Sequence, residues 1–220
     1  MRGYHPATLS DRGFDTNDQA DDVALLLDAL GEATAVVVGH DWGADATYGS
    51  ATKHPDRVTK MVALGIPHPM TLKPSLSAAW AGRHFVYCKL PWAQATARLF
   101  GLRLVGRLYR RWAPSWRGPV RDASVAAAAE AFRDERVLRG ALSYYKALGP
   151  GHPLYRAKIG VPALVVGGAD EPPALHRGYE ATPRRFTAPC NVRILQGAGH
   201  WPHRENEEVF LEALLAFLAD

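Results

Sequence analysis

The five residues Gly39-His40-Asp41-Trp42-Gly43 decide the fold. An apolar run, Ala35-Val36-Val37-Val38, precedes them, and Ala44-Asp45-Ala46-Thr47-Tyr48 follows with the character of a helix's first turns. Small residues two positions either side of a central nucleophile mark a sharp strand-to-helix turn, the nucleophile elbow. So tight a turn predicts that Gly39 and Gly43 are both there for steric reasons. The apex is Asp41. A carboxylate in that place can attack a tetrahedral carbon by displacement and form an alkyl ester, which must then be hydrolysed. The competing reading is an ordinary strand–helix turn in which Asp41 caps the helix.

Working outward, residues 16–31 read as a helix. Thr16 with Gln19 suggests a capping box, Gly31 sits where a C-terminal glycine belongs, and Ala20, Val23, Ala24, Leu27 and Leu30 form the expected buried stripe. Residues 35–38 predict a strand buried on both faces, as in the middle of a parallel sheet. Further strands are expected at 60–65, 161–167 and 191–195, with a helix around 174–179. A last helix over 205–219 would turn Phe210, Leu214 and Phe217 inward. Strands and helices alternating in this way predict an α/β fold, a mostly parallel sheet with helices on both faces. Residues 70–153 break the alternation: they are helical in character, rich in Arg, Trp and Ala, and bounded by Pro67/Pro69 and by Gly149-Pro150-Gly151. They read as a helical lid inserted into a core of 1–69 and 154–220, over the sheet edge where ligands of such folds bind.

The 220 residues are 47% hydrophobic and 10% aromatic, enough for a real core. No run approaches the length of a membrane span, and no secretory signal is visible. Cys88 and Cys190 lack motif spacing and read as unpaired thiols of a reducing compartment, which predicts a cytoplasmic location. No metal-ligating cluster or phosphate-binding glycine loop appears, so no metal and no cofactor is expected. The net charge of +4 is uneven, for from Arg57 to Arg121 twelve Lys or Arg stand with no Asp or Glu. Leu99, Leu102, Leu108 and Trp112 are expected to share one helix face there, with Arg103, Arg107, Arg110 and Arg111 on the rest. A solvated lid face is preferred over a nucleic-acid or anionic-membrane surface. Oligomeric state is unreadable.

His200, in Gly197-Ala198-Gly199-His200-Trp201 after the last strand, is the candidate base, and the chain order of nucleophile, acid and histidine fits. Arg2-Gly3-Tyr4, the pentapeptide 39–43, Ile66-Pro67-His68-Pro69, Tyr144-Tyr145, residues 162–171 and residues 197–201 resemble the epoxide hydrolase and haloalkane dehalogenase branch of the α/β-hydrolases, over essentially the whole chain. The resemblance implies an Asp41 alkyl-enzyme and His200 oriented by an acid just past the third of these strands. Glu171 is slightly preferred for that acid over the adjacent Asp170. It maps a ring-opening tyrosine onto Tyr145 and a second donor onto His84, and it implies an oxyanion-hole N–H from Trp42. The implied substrate is a small apolar epoxide, with water as second reactant and a vicinal diol as product. The alternative is a haloalkane, held by the Trp42 indole and a second donor, either in the missing N-terminal loop or from a lid tryptophan among Trp80, Trp92, Trp112 and Trp116.

The resemblance also implies three or four strands ahead of Arg2, on the order of 60 to 80 residues, with a His-Gly-x-Pro loop donating the other oxyanion-hole N–H. The expectation is therefore an N-terminally truncated member with an exposed, apolar sheet edge and impaired ester hydrolysis. Its rival is a truncated relative without catalysis.

Overall fold

A computed structural model describes residues 1–149 and 152–219. Among these, four parallel strands lie side by side in the order β1 (Ala35–His40), β2 (Val58–Leu64), β3 (Ala163–Gly168) and β4 (Cys190–Leu195). The register sets His40 against Leu64, Leu64 against Val166 and Gly168 against Leu195, so the strands end along one carboxyl edge. Helix α1 (Thr16–Leu30) precedes β1, and α2 (Trp42–Lys53) joins β1 to β2.

Alternate residues of a strand face opposite sides, and the interior sorts accordingly. Met61, Ala63 and Val165 pack with Tyr48 of α2 and with Tyr179 on one face. Val62, Leu64, Leu164 and Val166 meet Phe210 and Phe217 on the other. Each such Val or Leu side chain, once enclosed, contributes about 1.5–3 kcal/mol.

Between β2 and β3 the described residues form six α-helices: α3 (Leu76–Ala81), α4 (Arg83–Lys89), α5 (Ala93–Leu99), α6 (Arg103–Trp112), α7 (Pro119–Ala131) and α8 (Glu135–Ala147). Cys88, Ala93, Ala97, Leu138 and Leu142 give α4, α5 and α8 a small core of their own. Of the expected C-terminal boundary, Pro150 and Gly151 lie outside the described residues. After β3 come α9 (Pro173–Ala181), then, beyond β4, α10 (Pro202–Glu205) and α11 (Glu207–Ala219). Among the described residues no helix is long and apolar enough to cross a membrane, and both cysteines are free thiols.

Several local expectations need correction. The capping box of α1 is Asp15 with Asp18, each side chain bonded to the other's backbone N–H; Thr16 is already inside the helix. Gly31 does close that helix, at φ 72°. The buried face of α1 is narrow, because Thr16 and Ala20 pack directly on Gly49 of α2; Leu30 stays exposed, and Val23 and Ala24 are only half-buried. Strand β1 is an edge rather than a central strand among the described residues, so Val36 and Val38 are exposed. Leu99 ends α5, whereas Leu108 and Trp112 belong to α6 beyond the turn at Gly101, so the four residues share no helix face. The last helix breaks at Asn206; Phe210 and Phe217 are buried, and Leu214 packs on them in part.

Candidate active site

Asp41 stands at the turn from β1 to α2 with φ 54° and ψ −118°, a conformation L-residues rarely adopt. Strain of about 1–3 kcal/mol at such a residue persists only where the surroundings impose it. Here its N–H is bonded to Leu64 O at 3.1 Å, and its C=O accepts the N–H groups of Ala44 and Asp45. A Cβ on Gly39 would lie 2.0 Å from Gly43 O, which accounts for that glycine. Gly43 is different: a Cβ there meets only Met1 Sδ, at 3.9 Å, so among the described residues its side is open.

The side chain of Asp41 lies between two donors. Oδ1 accepts the N–H of Trp42 at 2.8 Å, and Oδ2 lies 2.8 Å from His200 Nε2. The one carboxylate thus both caps α2 and meets His200. On the other side of the ring, His200 Nδ1 lies 3.1 Å from Glu171 Oε1. Glu171 is 2% exposed, and its second oxygen accepts Tyr179 Oη–H at 2.8 Å and Gly168 N–H at 3.1 Å. Asp170 faces elsewhere; its N–H is bonded to Ala198 O and its buried Oδ2 has no partner among the described residues. Asp41, His200 and Glu171 therefore form one hydrogen-bonded line, and Asp170 stands outside it.

The charges in this line hold each other. Burial alone would raise Asp41, but the hydrogen bond and charge of His200 keep it well below the usual carboxylate range. Burial alone would lower His200, but Asp41 and Glu171 together raise it well above an ordinary histidine. The resting pair is thus carboxylate and imidazolium.

The β2–β3 connection supplies the facing wall. Tyr145 on α8 stands edge-on to the Trp42 ring at 5.1 Å, with Phe85 and His84 of α4 at 5.1 and 5.8 Å from it. Burial, then the Asp41 charge, keeps the Tyr145 hydroxyl protonated far above the normal range. His84 is lowered to about 4 by burial and by Arg111, so it is neutral at neutral pH. Tyr144, next along, donates its hydroxyl to Arg2 O at 2.8 Å instead. Of the four tryptophans weighed as halide donors, Trp112 alone has its ring against the line, 5.0 Å from that of His200; Trp80 and Trp92 are exposed.

Four contributors escaped the sequence reading. His40 Nε2 lies 2.7 Å from His200 O, and since a carbonyl only accepts, that nitrogen carries the proton. Gly65, at φ 77°, gives His200 room: a Cβ there would lie 2.8 Å from His200 O. Trp112 O accepts the N–H of His200 at 2.9 Å. Glu205 binds the backbone on both sides of His200. Only Glu205 left a trace in sequence, as an acid four residues after Trp201 where a helix begins.

With this geometry in hand, comparison identifies the class. The family model of the alpha/beta hydrolase fold matches residues 2–207, and the chain belongs to that family. It is an α/β-fold hydrolase. It is 25% identical to epoxide hydrolase A of Mycobacterium tuberculosis, over 98% of this chain and 82% of that protein. It is likewise 25% identical to mouse epoxide hydrolase 3, over 100% of this chain and 62% of the relative. The crystal structure of epoxide hydrolase A from Mycobacterium thermoresistibile superposes with a TM-score of 0.76 at 24% identity, covering 99% of this chain and 80% of that one. The structure of Cfl2 from Burkholderia cenocepacia gives 0.74 at 24% identity, over 99% and 76%. At these identities the solved structures attest the fold alone.

Proposed function

We propose that this hydrolase opens a small apolar epoxide to a vicinal diol, with residues 70–153 as a lid over a core formed by 1–69 and 154–220. The observation that carries the reading is the Asp41 carboxylate held between Trp42 N–H and His200 Nε2, with the Tyr145 ring edge-on to that of Trp42. Asp41 Oδ2 attacks an epoxide carbon; the C–O bond breaks, and Tyr145, assisted by His84, gives a proton to the departing oxygen. Alkylation removes the Asp41 charge, so His200 loses its principal stabilising partner and becomes a neutral base, its proton passing through solvent to restore the Tyr145 hydroxyl. It then takes a proton from water as that water attacks Asp41 Cγ. The oxyanion gathers on Oδ1, where Trp42 N–H already points. Collapse releases Oδ2 with the diol, protonated by His200, and the new carboxyl group, completed by the water oxygen, passes its remaining proton to His200 and so restores the carboxylate and the imidazolium. Glu171 holds the ring and balances its positive charge. The names of the relatives support the choice of epoxide.

A second reading, haloalkane dehalogenation, is favoured by one observation, the Trp112 ring beside His200. Incubation with styrene oxide and with a bromoalkane separates the two. Diol from the first with no bromide from the second supports the epoxide reading; bromide release with the epoxide inert overturns it. In His200→Gln the ester should accumulate, seen as an added mass equal to one substrate.

A further inference from the structure

The loop carrying His200 is bound on both flanks by one carboxylate. Glu205 Oε2 accepts the N–H of Gly199 at 2.8 Å, and Oε1 accepts the N–H of Trp201 at 2.8 Å. The backbone of His200 itself is tied to Trp112 O and to His40 Nε2. Of these three anchors only Glu205 carries a negative charge. We propose that Glu205 is a positioning residue for the base: it fixes the chain before and after His200 and adds negative charge behind the imidazolium, without touching substrate. The proposal rests on the assignment of His200 as base.

Two features separate this role from simple helix capping. A cap for α10 accounts for the bond to Trp201, which immediately precedes that helix, but not for the bond to Gly199, which lies outside it. Two N–H donors bound to separate oxygens favour the ionised form, in which both bonds are charge-assisted, about twice the strength of neutral ones. Burial pushes Glu205 upward, while the two amides and the charge of His200 draw it back. What lowers Glu205 through its charge must raise His200 in return. The other groups facing His200 are Asp41 from the elbow, Glu171 beyond β3, His40 at the end of β1, and His203 on α10. His84 approaches from the connection, and Asp170 and Arg204 lie further out.

The test uses the 220-residue chain as wild type and as Glu205→Gln, which keeps the shape and removes the charge. Circular dichroism checks the fold, and Glu205→Asp, able to reach one amide, serves as the second variant. With styrene oxide, mass spectrometry follows formation and decay of the ester in single turnovers. Nitrogen-15 NMR of the histidine ring follows the His200 titration. Ester decay slowed about tenfold more than ester formation, with the His200 titration moved to lower pH and a smaller change in Glu205→Asp, supports the proposal. An unmoved His200 titration, or formation and decay falling in step, overturns it and leaves only a helix cap. If wild type forms no ester, the functional reading fails instead, and the titration alone decides for Glu205.

Discussion

His200 Nε2 lies 2.8 Å from Asp41 Oδ2, so the protonation of each depends on the charge of the other. In Asp41→Asn the charge is gone while the burial of His200 remains, and His200 should titrate at lower pH than in wild type. Histidine NMR reads this directly. A titration unchanged between the two proteins would mean that the contact does not hold the imidazolium.

The same pair shapes stability against pH. His200 is raised in the folded state, so its contribution is full below the unfolded value near 6.5 and fades as pH rises through the folded one. Asp41 is depressed, so its contribution is present above about 3.9 and is lost as pH falls through its folded value. The Tm of wild type relative to Asp41→Asn should therefore be most favourable between about pH 4 and 6.5 and decline on the alkaline side. A difference flat from pH 5 to pH 11 would contradict this.

Glu171→Gln should reduce ester hydrolysis on the order of 100-fold or more, because the acid that orients and balances His200 is lost. Asp170→Asn should stay within a few-fold of wild type, since among the described residues His200 is bonded to Glu171 and Asp170 Oδ2 to no partner. Measured diol formation in the two variants distinguishes them, and the reverse order would exchange their roles.

Tyr145→Phe should slow ring opening by about 100-fold or more, as expected for loss of a proton donor. Tyr144→Phe should instead cost about 1 kcal/mol of stability, the worth of its bond to Arg2 O, with ester formation little changed. Urea denaturation and single-turnover ester formation measure the two effects separately.

Gly39→Ala and Gly43→Ala should differ although the residues stand symmetrically about Asp41. The first drives a Cβ to 2.0 Å from Gly43 O and should destabilise by more than about 2 kcal/mol; the second meets open space and should change stability by less than about 1 kcal/mol. Equal thermal shifts would refute the asymmetry.

The elbow was legible because its turn sets local spacing, and the α/β class because strand and helix runs alternate along the chain. The exposed, apolar sheet edge followed from the resemblance, not from the strand itself: Ala35-Val36-Val37-Val38 is as apolar as a central strand, and exposure depends on what pairs alongside. The choice between Asp170 and Glu171 depends on how one loop turns after Gly168, which adjacent acids in a sequence do not reveal. His40 and Gly65 act through backbone contacts with a residue far along the chain, His200, and leave no local pattern. Gly43 shows the converse, a motif residue whose steric reason was inferred by symmetry and is lacking among the described residues.

The bond from His200 N–H to Trp112 O joins the histidine to the end of α6. Any passage that swung α6 aside would take an anchor from His200 with each molecule admitted. Traffic through that flank would be self-defeating, whereas a doorway that leaves α6 seated keeps His200 aligned while a bound molecule departs.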